Sequence, residues 1–132
     1  MFGIALALAI STSLQSPEGR WITQDRTALV TIAPCATGIC GTVTRVLAGG
    51  PNVPTTDVNN PDRRLRSRRL VGLQILSGFK KQGINWKRGT VYDPKSGRAY
   101  KASLMPNPSG TLTVTGCVFV ICQSQRWSRV RD

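Results

Sequence analysis

Short apolar runs rich in Val, Ile, Leu and Thr recur along the chain, separated by residues that favour turns. The clearest alternation lies in residues 111–121, where three threonines alternate with Leu112 and Val114, as in a strand with one buried face. The other predicted strands are residues 21–24, 29–33, 42–47, 70–76, 90–92, 99–104 and 126–130. With about seven or eight short strands and one helical turn near residues 61–65, the pattern predicts an all-β sandwich or barrel.

The segments between these runs carry turn chemistry. Residues 48–61 form a predicted loop that contains Gly-Gly-Pro and Asn-Asn-Pro, and residues 78–83 form a predicted turn. The segment Asp93-Pro94-Lys95-Ser96-Gly97 predicts a hairpin turn, because Pro fixes φ and Gly supplies a left-handed position. Asp93 and Gly97 are therefore expected to have structural roles.

The amino-terminal residues have the pattern of a secretory leader. Residues 2–10 read FGIALALAI, small polar residues follow, and no charged side chain occurs before Glu18. This apolar run is much shorter than the roughly 20 residues that a membrane-spanning helix needs. We expect a signal peptide over residues 1–16, cleaved near Ser13–Ser16, and one barrel domain over residues 17–132. No Lys or Arg precedes the apolar run, and the alternative is a buried amino-terminal strand or helix.

Four cysteines form two pairs with the same C-x4-C spacing, Cys35/Cys40 and Cys117/Cys122. Equal local pairs in a small chain favour a disulfide framework, so we predict Cys35–Cys40 and Cys117–Cys122 bridges. Each would close a six-residue loop and contribute about 2 kcal/mol. The alternatives are one shared zinc site, which normally uses tighter C-x2-C spacing, and a redox-active C-x-x-C pair. The disulfide interpretation predicts a periplasmic or secreted protein.

The chain is strongly basic, with 18 Lys and Arg, 6 Asp and Glu, and a formal net charge of +12. The segment RRLRSRR provides a candidate anion-binding surface, made of Arg63, Arg64, Arg66, Arg68 and Arg69. In an exported protein, its partners would be lipid headgroups or lipopolysaccharide phosphates. Nucleic acid is disfavoured, because no aromatic residue in this run can stack on bases. The alternative is a solvated surface that serves solubility.

Recognisable catalytic chemistry is absent from the sequence. There is no histidine, which removes the usual general base and the commonest zinc ligand. Asp57, Asp62 and Asp93 are interpreted as turn-capping residues, because Asp is a standard turn residue. Neither a phosphate-binding Gly motif nor G-x-S-x-G occurs. We therefore predict that the protein is not an enzyme and has no catalytic residues, cofactor or bound metal. The alternative is an enzyme built from Lys, Tyr and Asp, for which the sequence gives no positive support.

Motifs spread from Gly19 to Val130 resemble those of the DUF2147 family, small exported bacterial proteins of unassigned function. The match is carried by GRW at 19–21, PC at 34–35, CG at 40–41, Asp57, NP at 60–61, LVGL at 70–73, Trp86, Gly89, YDP at 92–94, Gly97, Tyr100, GC at 116–117 and WSR at 127–129.

This resemblance implies an antiparallel up-and-down barrel of the lipocalin, or calycin, type with an internal cavity. It also implies a structural contact at the barrel floor between Trp21 and Arg129 or Arg126. The alternative is that Trp21 is only a core residue and Arg129 only a surface charge.

The expected function is binding rather than catalysis. The barrel is expected to hold a small apolar or amphipathic ligand, and the candidate lining residues are Leu73, Ile75, Trp86, Tyr92, Tyr100 and Leu104. The alternative for each of them is a place in the packed core. The alternative function is a cationic protein that binds an anionic envelope component or nucleic acid through its surface. The sequence leaves the oligomeric state open.

Overall fold

Eight antiparallel strands form a closed barrel in the computed structural model, which describes residues 16–47 and 54–131. The strands are β1 (Gly19–Ile22), β2 (Ala28–Cys35), β3 (Gly38–Val46), β4 (Gln74–Gln82), β5 (Asn85–Asp93), β6 (Arg98–Pro106), β7 (Thr111–Val118) and β8 (Ile121–Arg129). Each strand pairs with the next, and β8 pairs with β1. The predicted up-and-down β-barrel is confirmed. The predicted signal peptide lies, except for Ser16, outside the described residues.

Up-and-down topology places successive connections at alternate ends of the barrel. The connections after β1, β3, β5 and β7 lie at one end, which we call the mouth. Those after β2, β4 and β6 lie at the other end, the floor, where β1 begins and β8 ends. The long β3–β4 connection at the mouth contains a short 3-10 helix, Arg63–Leu65, where the sequence predicts a helical turn.

Most strand boundaries differ from the sequence-based prediction, and at three of them the backbone shows the reason. The strand predicted over residues 70–76 begins only at Gln74, because Leu73 donates a backbone hydrogen bond to Leu70 and Gly72 adopts φ of 94° in a tight turn. Most of the turn predicted over residues 78–83 is strand, since Gly78 accommodates its positive φ within β4. Residues 111–121 are not one strand, because the chain reverses at Phe119, where φ is 55°.

Large side chains fill the floor half of the barrel. The fully buried residues there include Trp21, Phe79, Leu104 and Leu112. They belong to one continuous cluster of buried residues from seven of the strands, β1 to β4 and β6 to β8. Packing of this kind supplies the main stabilisation of a small barrel.

The contact that the resemblance implies at the floor is present. The guanidinium carbon of Arg129 lies 4.2 Å from the ring centroid of Trp21. Arg129 also donates to the backbone carbonyls of Glu18 and Ser16, both at 2.9 Å. Trp21 Nε1 donates to the carbonyl of Pro17 at 2.8 Å. Desolvation by burial lowers the pKa of Arg129, and the positive charge of Arg131 adds to this effect. Arg129, rather than Arg126, therefore connects β8 to the chain entering β1.

Both predicted cysteine pairs are disulfides, and the described residues contain no free cysteine. The Cys35–Cys40 bridge spans the β2–β3 turn at the floor, and the Cys117–Cys122 bridge joins β7 to β8 near the mouth. Within residues 16–47 and 54–131, no group of three or more His, Cys, Asp or Glu side chains is placed to hold a metal. No helix in the same ranges is long and apolar enough to span a membrane.

Candidate ligand-binding cavity

The mouth half of the barrel contains a cavity of about 850 Å³ that is open to solvent at the mouth. Its deeper wall is apolar and includes Val43, Ile75, Val91, Val114 and Trp127. These side chains come from β3, β4, β5, β7 and β8, so the wall surrounds the barrel axis. A volume between about 300 and 1,000 Å³ is typical of small-molecule sites.

Polar groups surround the entrance of this cavity. Gln24, Asn59, Gln123 and Gln125 lie in its lining, and so does an ion pair between Lys95 Nζ and Asp25. That pair joins the β1–β2 turn to the β5–β6 turn. An apolar interior with a polar rim matches a molecule that has an apolar body and a polar end.

A buried polar cluster fixes the β3–β4 connection to the barrel. Asp57 is fully buried and accepts hydrogen bonds from the hydroxyl of Tyr92 at 2.7 Å and from Asn60 Nδ2 and Arg68 Nε, both at 2.9 Å. The guanidinium carbon of Arg68 also lies 5.7 Å from the ring centroid of Tyr92. Each carboxylate oxygen therefore has a partner, as a buried charge requires.

Tyr92 is held as a hydrogen-bond donor in this cluster. Desolvation by burial and the hydrogen bond to Asp57 raise the pKa of Tyr92 to about 12. Its hydroxyl consequently stays protonated to higher pH than that of an ordinary tyrosine. Tyr92 also lines the cavity, so the cluster positions one of the lining residues.

A second set of contacts holds the same connection to the β5–β6 turn. Asn59 Nδ2 donates to the carbonyls of Pro94 at 3.3 Å and Lys95 at 3.0 Å. Gly97 adopts φ of 71°, and a β-carbon there would collide with the carbonyl oxygen of Asn59. The predicted structural role of Gly97 thus has a physical basis in this close approach as well as in the turn.

The three aspartates that sequence analysis interprets as turn-capping residues differ in role. Asp62 accepts from the backbone N–H of Arg64 at 3.0 Å and caps the 3-10 helix, and its hydrogen bonds with Arg64 lower its pKa. Asp93 accepts from the N–H of Lys95 at 3.0 Å and the hydroxyl of Ser96 at 2.9 Å. Asp57 needs a correction, because its side chain is the buried centre of a cluster instead of an exposed cap.

The six predicted lining residues divide into two groups. Ile75, Tyr92 and Tyr100 line the cavity. Leu73, Trp86 and Leu104 do not: Leu104 is fully buried in the core, and the other two pack against that core while partly exposed. Leu104 pairs with Trp86 across β5 and β6, in the part of the barrel that side chains fill. A contact between ligand and the three residues that do line the cavity stays a prediction.

Sequence analysis misses several lining residues. Val91, Val114, Gly116 and Trp127 line the cavity, as does Ala28. Alternation identifies Val114 as inward-facing, but it does not show where along the barrel the packed region ends and the cavity begins. That boundary depends on which large side chains meet across the axis, which is a tertiary property.

Three of the five predicted anion-binding arginines have partners within the protein. Arg68 binds Asp57, Arg64 forms an ion pair with Asp62 at 3.1 Å, and Arg66 Nε donates to the carbonyl of Asn60 at 2.6 Å. Arg63 and Arg69 are exposed, and neither forms an ion pair with a described carboxylate. Anion binding by this segment stays a prediction that depends mainly on Arg63 and Arg69, whose charges have no described carboxylate partner.

The tip of the β7–β8 hairpin carries four exposed apolar residues, Val118, Phe119, Val120 and Ile121. Phe119 and Val120 at its apex are 97% and 93% exposed, more than any other large apolar side chain in the described ranges. The Cys117–Cys122 disulfide closes this segment, which we call the apolar tip. Val118 and Ile121 also line the cavity, so the apolar surface continues from the tip into the entrance.

The closed eight-stranded barrel, its mouth-side cavity and the Trp21–Arg129 floor contact define a lipocalin-like protein. The model of the bacterial family DUF2147, described as an uncharacterized protein conserved in bacteria, matches residues 19–129. The chain belongs to this family.

One solved structure with a similar fold is protein HP1028 from Helicobacter pylori, which is described as belonging to the lipocalin family. The two chains share 22% sequence identity with a TM-score of 0.77, over 89% of this chain and 84% of the other. The comparison with curated proteins gave no match.

Proposed function

We propose that the barrel binds a small amphipathic molecule, with its apolar body in the cavity and its polar end at the mouth. The observation that supports this most directly is the cavity of about 850 Å³ with an apolar wall and a polar entrance. A packed barrel of the same fold would offer no such volume. The lipocalin-like fold agrees with a binding role.

The polar entrance favours an amphipathic ligand over a purely apolar one. A ligand without a polar end would leave the ion pair of Asp25 and Lys95 and the amide of Gln24 without additional partners, and would gain only from burial of its apolar part. An anionic or hydroxyl-bearing end can accept hydrogen bonds from these groups.

Binding of 1-anilinonaphthalene-8-sulfonate, a fluorescent molecule with an apolar body and an anionic end, tests the proposal. We expect saturable binding of one molecule per chain, with competition by a long-chain fatty acid. Ala28→Trp places a large side chain in the cavity lining and should weaken binding at least roughly tenfold, since the ligand loses apolar contact area.

Ala33→Trp is the matched control, because Ala33 is an exposed residue of the same strand and does not line the cavity. It should leave the affinity unchanged, and circular dichroism should show that both variants fold. Equal binding by both variants, or no saturable binding by the native protein, would contradict a ligand site in the cavity.

We also propose that the protein is exported and oxidised outside the cytoplasm. Two local disulfides in the described chain support this location, since disulfides persist in oxidising compartments. The apolar amino-terminal segment predicted as a signal peptide is consistent with it.

A further inference from the structure

We propose that the apolar tip docks the barrel onto an anionic lipid bilayer by inserting into its surface. The four apolar residues form one contiguous segment at the outermost turn of β7 and β8, with no described residue covering Phe119 or Val120. Single exposed apolar residues are common on protein surfaces, but a group of adjacent exposed apolar residues at the apex of a hairpin indicates an interaction site.

The geometry of the apolar tip favours lipid over a protein partner. The tip is a convex turn of four residues, whereas a stable protein interface needs about 800 Å² from each partner. A bilayer accepts a small convex apolar group, because lipids rearrange around it. A second copy of this chain is also a poor partner, since two molecules with a net charge of +12 repel each other.

Charge at the mouth complements an anionic membrane. Arg26 lies in the β1–β2 turn, Arg98 begins β6, and Lys101 pairs in register with Cys117 at the base of the tip. All three are exposed and lack an ion pair with a described carboxylate. Basic groups close to a bilayer surface attract anionic headgroups, so they would hold the mouth against the membrane while the tip inserts.

Docking in this orientation would place the cavity entrance at the bilayer surface. Val118 and Ile121 belong both to the tip and to the cavity lining, so they form a continuous apolar surface between the two. An amphipathic molecule could then move between bilayer and cavity with its apolar part shielded from water. The docking itself does not depend on the proposed cavity ligand.

Vesicle flotation of the full chain tests the docking, with vesicles of phosphatidylethanolamine and phosphatidylglycerol in a three-to-one ratio. We expect the native protein to bind them and to bind pure phosphatidylcholine vesicles much more weakly. The double variant Phe119→Asn, Val120→Ser removes the apex side chains, and Asn tolerates the left-handed backbone of position 119. Its affinity should fall by roughly a hundredfold.

Ile84→Ser is the matched control, because Ile84 is 64% exposed but lies in the β4–β5 turn at the floor. It should bind vesicles like the native protein. Binding of the 1-anilinonaphthalene-8-sulfonate probe should be unchanged in both variants, which separates loss of docking from loss of the cavity site. Equal vesicle binding by the tip variant and the native protein would overturn the proposal, as would equal loss in both variants.

Fluorescence gives an independent measure of insertion. With vesicles present, the indole introduced by Phe119→Trp should add blue-shifted emission, and lipids brominated on the acyl chain should quench that emission. The indole introduced by Ile84→Trp should stay unquenched. An unquenched indole at position 119 would overturn insertion. If the protein bound DNA more strongly than vesicles, and the tip variant left DNA binding unchanged, membrane docking would also be overturned. Nucleic acid would then be the partner of the basic residues at the mouth.

Discussion

The hydrogen bond between Tyr92 and Asp57 joins a barrel strand to a connection that has little regular structure of its own. Asp57 has no exposed surface, and its partners come from β5 and from both sides of the 3-10 helix. A buried carboxylate is costly without such partners, so loss of any one of them weakens the attachment of the whole connection.

Tyr92→Phe is predicted to lower the free energy of unfolding by about 1 to 2 kcal/mol at neutral pH, measured by urea denaturation. The folded state raises the pKa of Tyr92 from 10.0 to about 12, so it holds this proton more tightly than the unfolded state. The stability that Tyr92 contributes is therefore fully present below pH 10 and is lost between about pH 10 and 12.

The difference in stability between native protein and Tyr92→Phe should accordingly shrink across that alkaline range. Tyr100→Phe is a suitable comparison, because Tyr100 also lines the cavity but its hydroxyl forms no hydrogen bond with a described residue. It should cost less than about 0.5 kcal/mol. A Tyr92→Phe protein as stable as the native one at pH 7 would contradict the role of this hydroxyl.

At the scale of the element, the β7–β8 hairpin combines an unfavourable turn with a covalent closure. Phe119 adopts φ of 55°, which costs energy for a bulky residue, and neither Gly nor Asn occurs at the apex. The Cys117–Cys122 disulfide links directly opposed residues and limits the conformations that the open hairpin can reach.

Replacing both cysteines of this pair, Cys117→Ser with Cys122→Ser, is predicted to lower the free energy of unfolding by about 2 kcal/mol. Chymotrypsin should then cleave after Phe119 faster than in the native protein, because the tip can open locally. The Cys35→Ser, Cys40→Ser protein should lose similar stability without this faster cleavage. Equal cleavage rates in native protein and the Cys117 variant would contradict a constraining role of the bridge at the tip.

The sequence predicts which segments are strands better than it predicts where each strand begins and ends. Alternation of Thr and Leu or Val identifies β7, and Asp93 to Gly97 identify the β5–β6 turn, because these signals are local. The start of β4 is missed, since the apolar run Leu70 to Leu73 resembles a strand and only its tertiary contacts make it a turn. The strand predicted over residues 111–121 runs through the reversal at Phe119, because no Gly, Pro or Asn marks it, although the predicted Cys117–Cys122 bridge requires a bend in this segment.

At the scale of the whole molecule, the barrel has two halves with different tasks. Large side chains such as Phe79 and Leu104 fill the floor half, while the mouth half leaves room for a ligand. The sequence predicts the cavity only through resemblance, and only three of its six candidate lining residues line the cavity. Composition cannot supply this division, because Leu, Val and Ile occur on both sides of it.

Export can be tested on the protein produced in its native bacterial background. We expect fractionation to recover it outside the cytoplasm, with a mass that corresponds to cleavage near Ser13–Ser16 and with no thiol available for alkylation. A cytoplasmic, uncleaved protein with four alkylated cysteines would contradict export. The arginines would then be better explained by an intracellular polyanion.

The contacts of Arg129 with Ser16 and Glu18 bring the start of β1 and the end of β8 together at the floor of the barrel. Both points where the chain leaves the described barrel are therefore at the pole opposite the cavity entrance. A tag, a dye or a sensor chip coupled at that pole would present every molecule with its entrance toward the solution. Orientation-controlled immobilisation is thus available without altering a single residue of the cavity or the apolar tip.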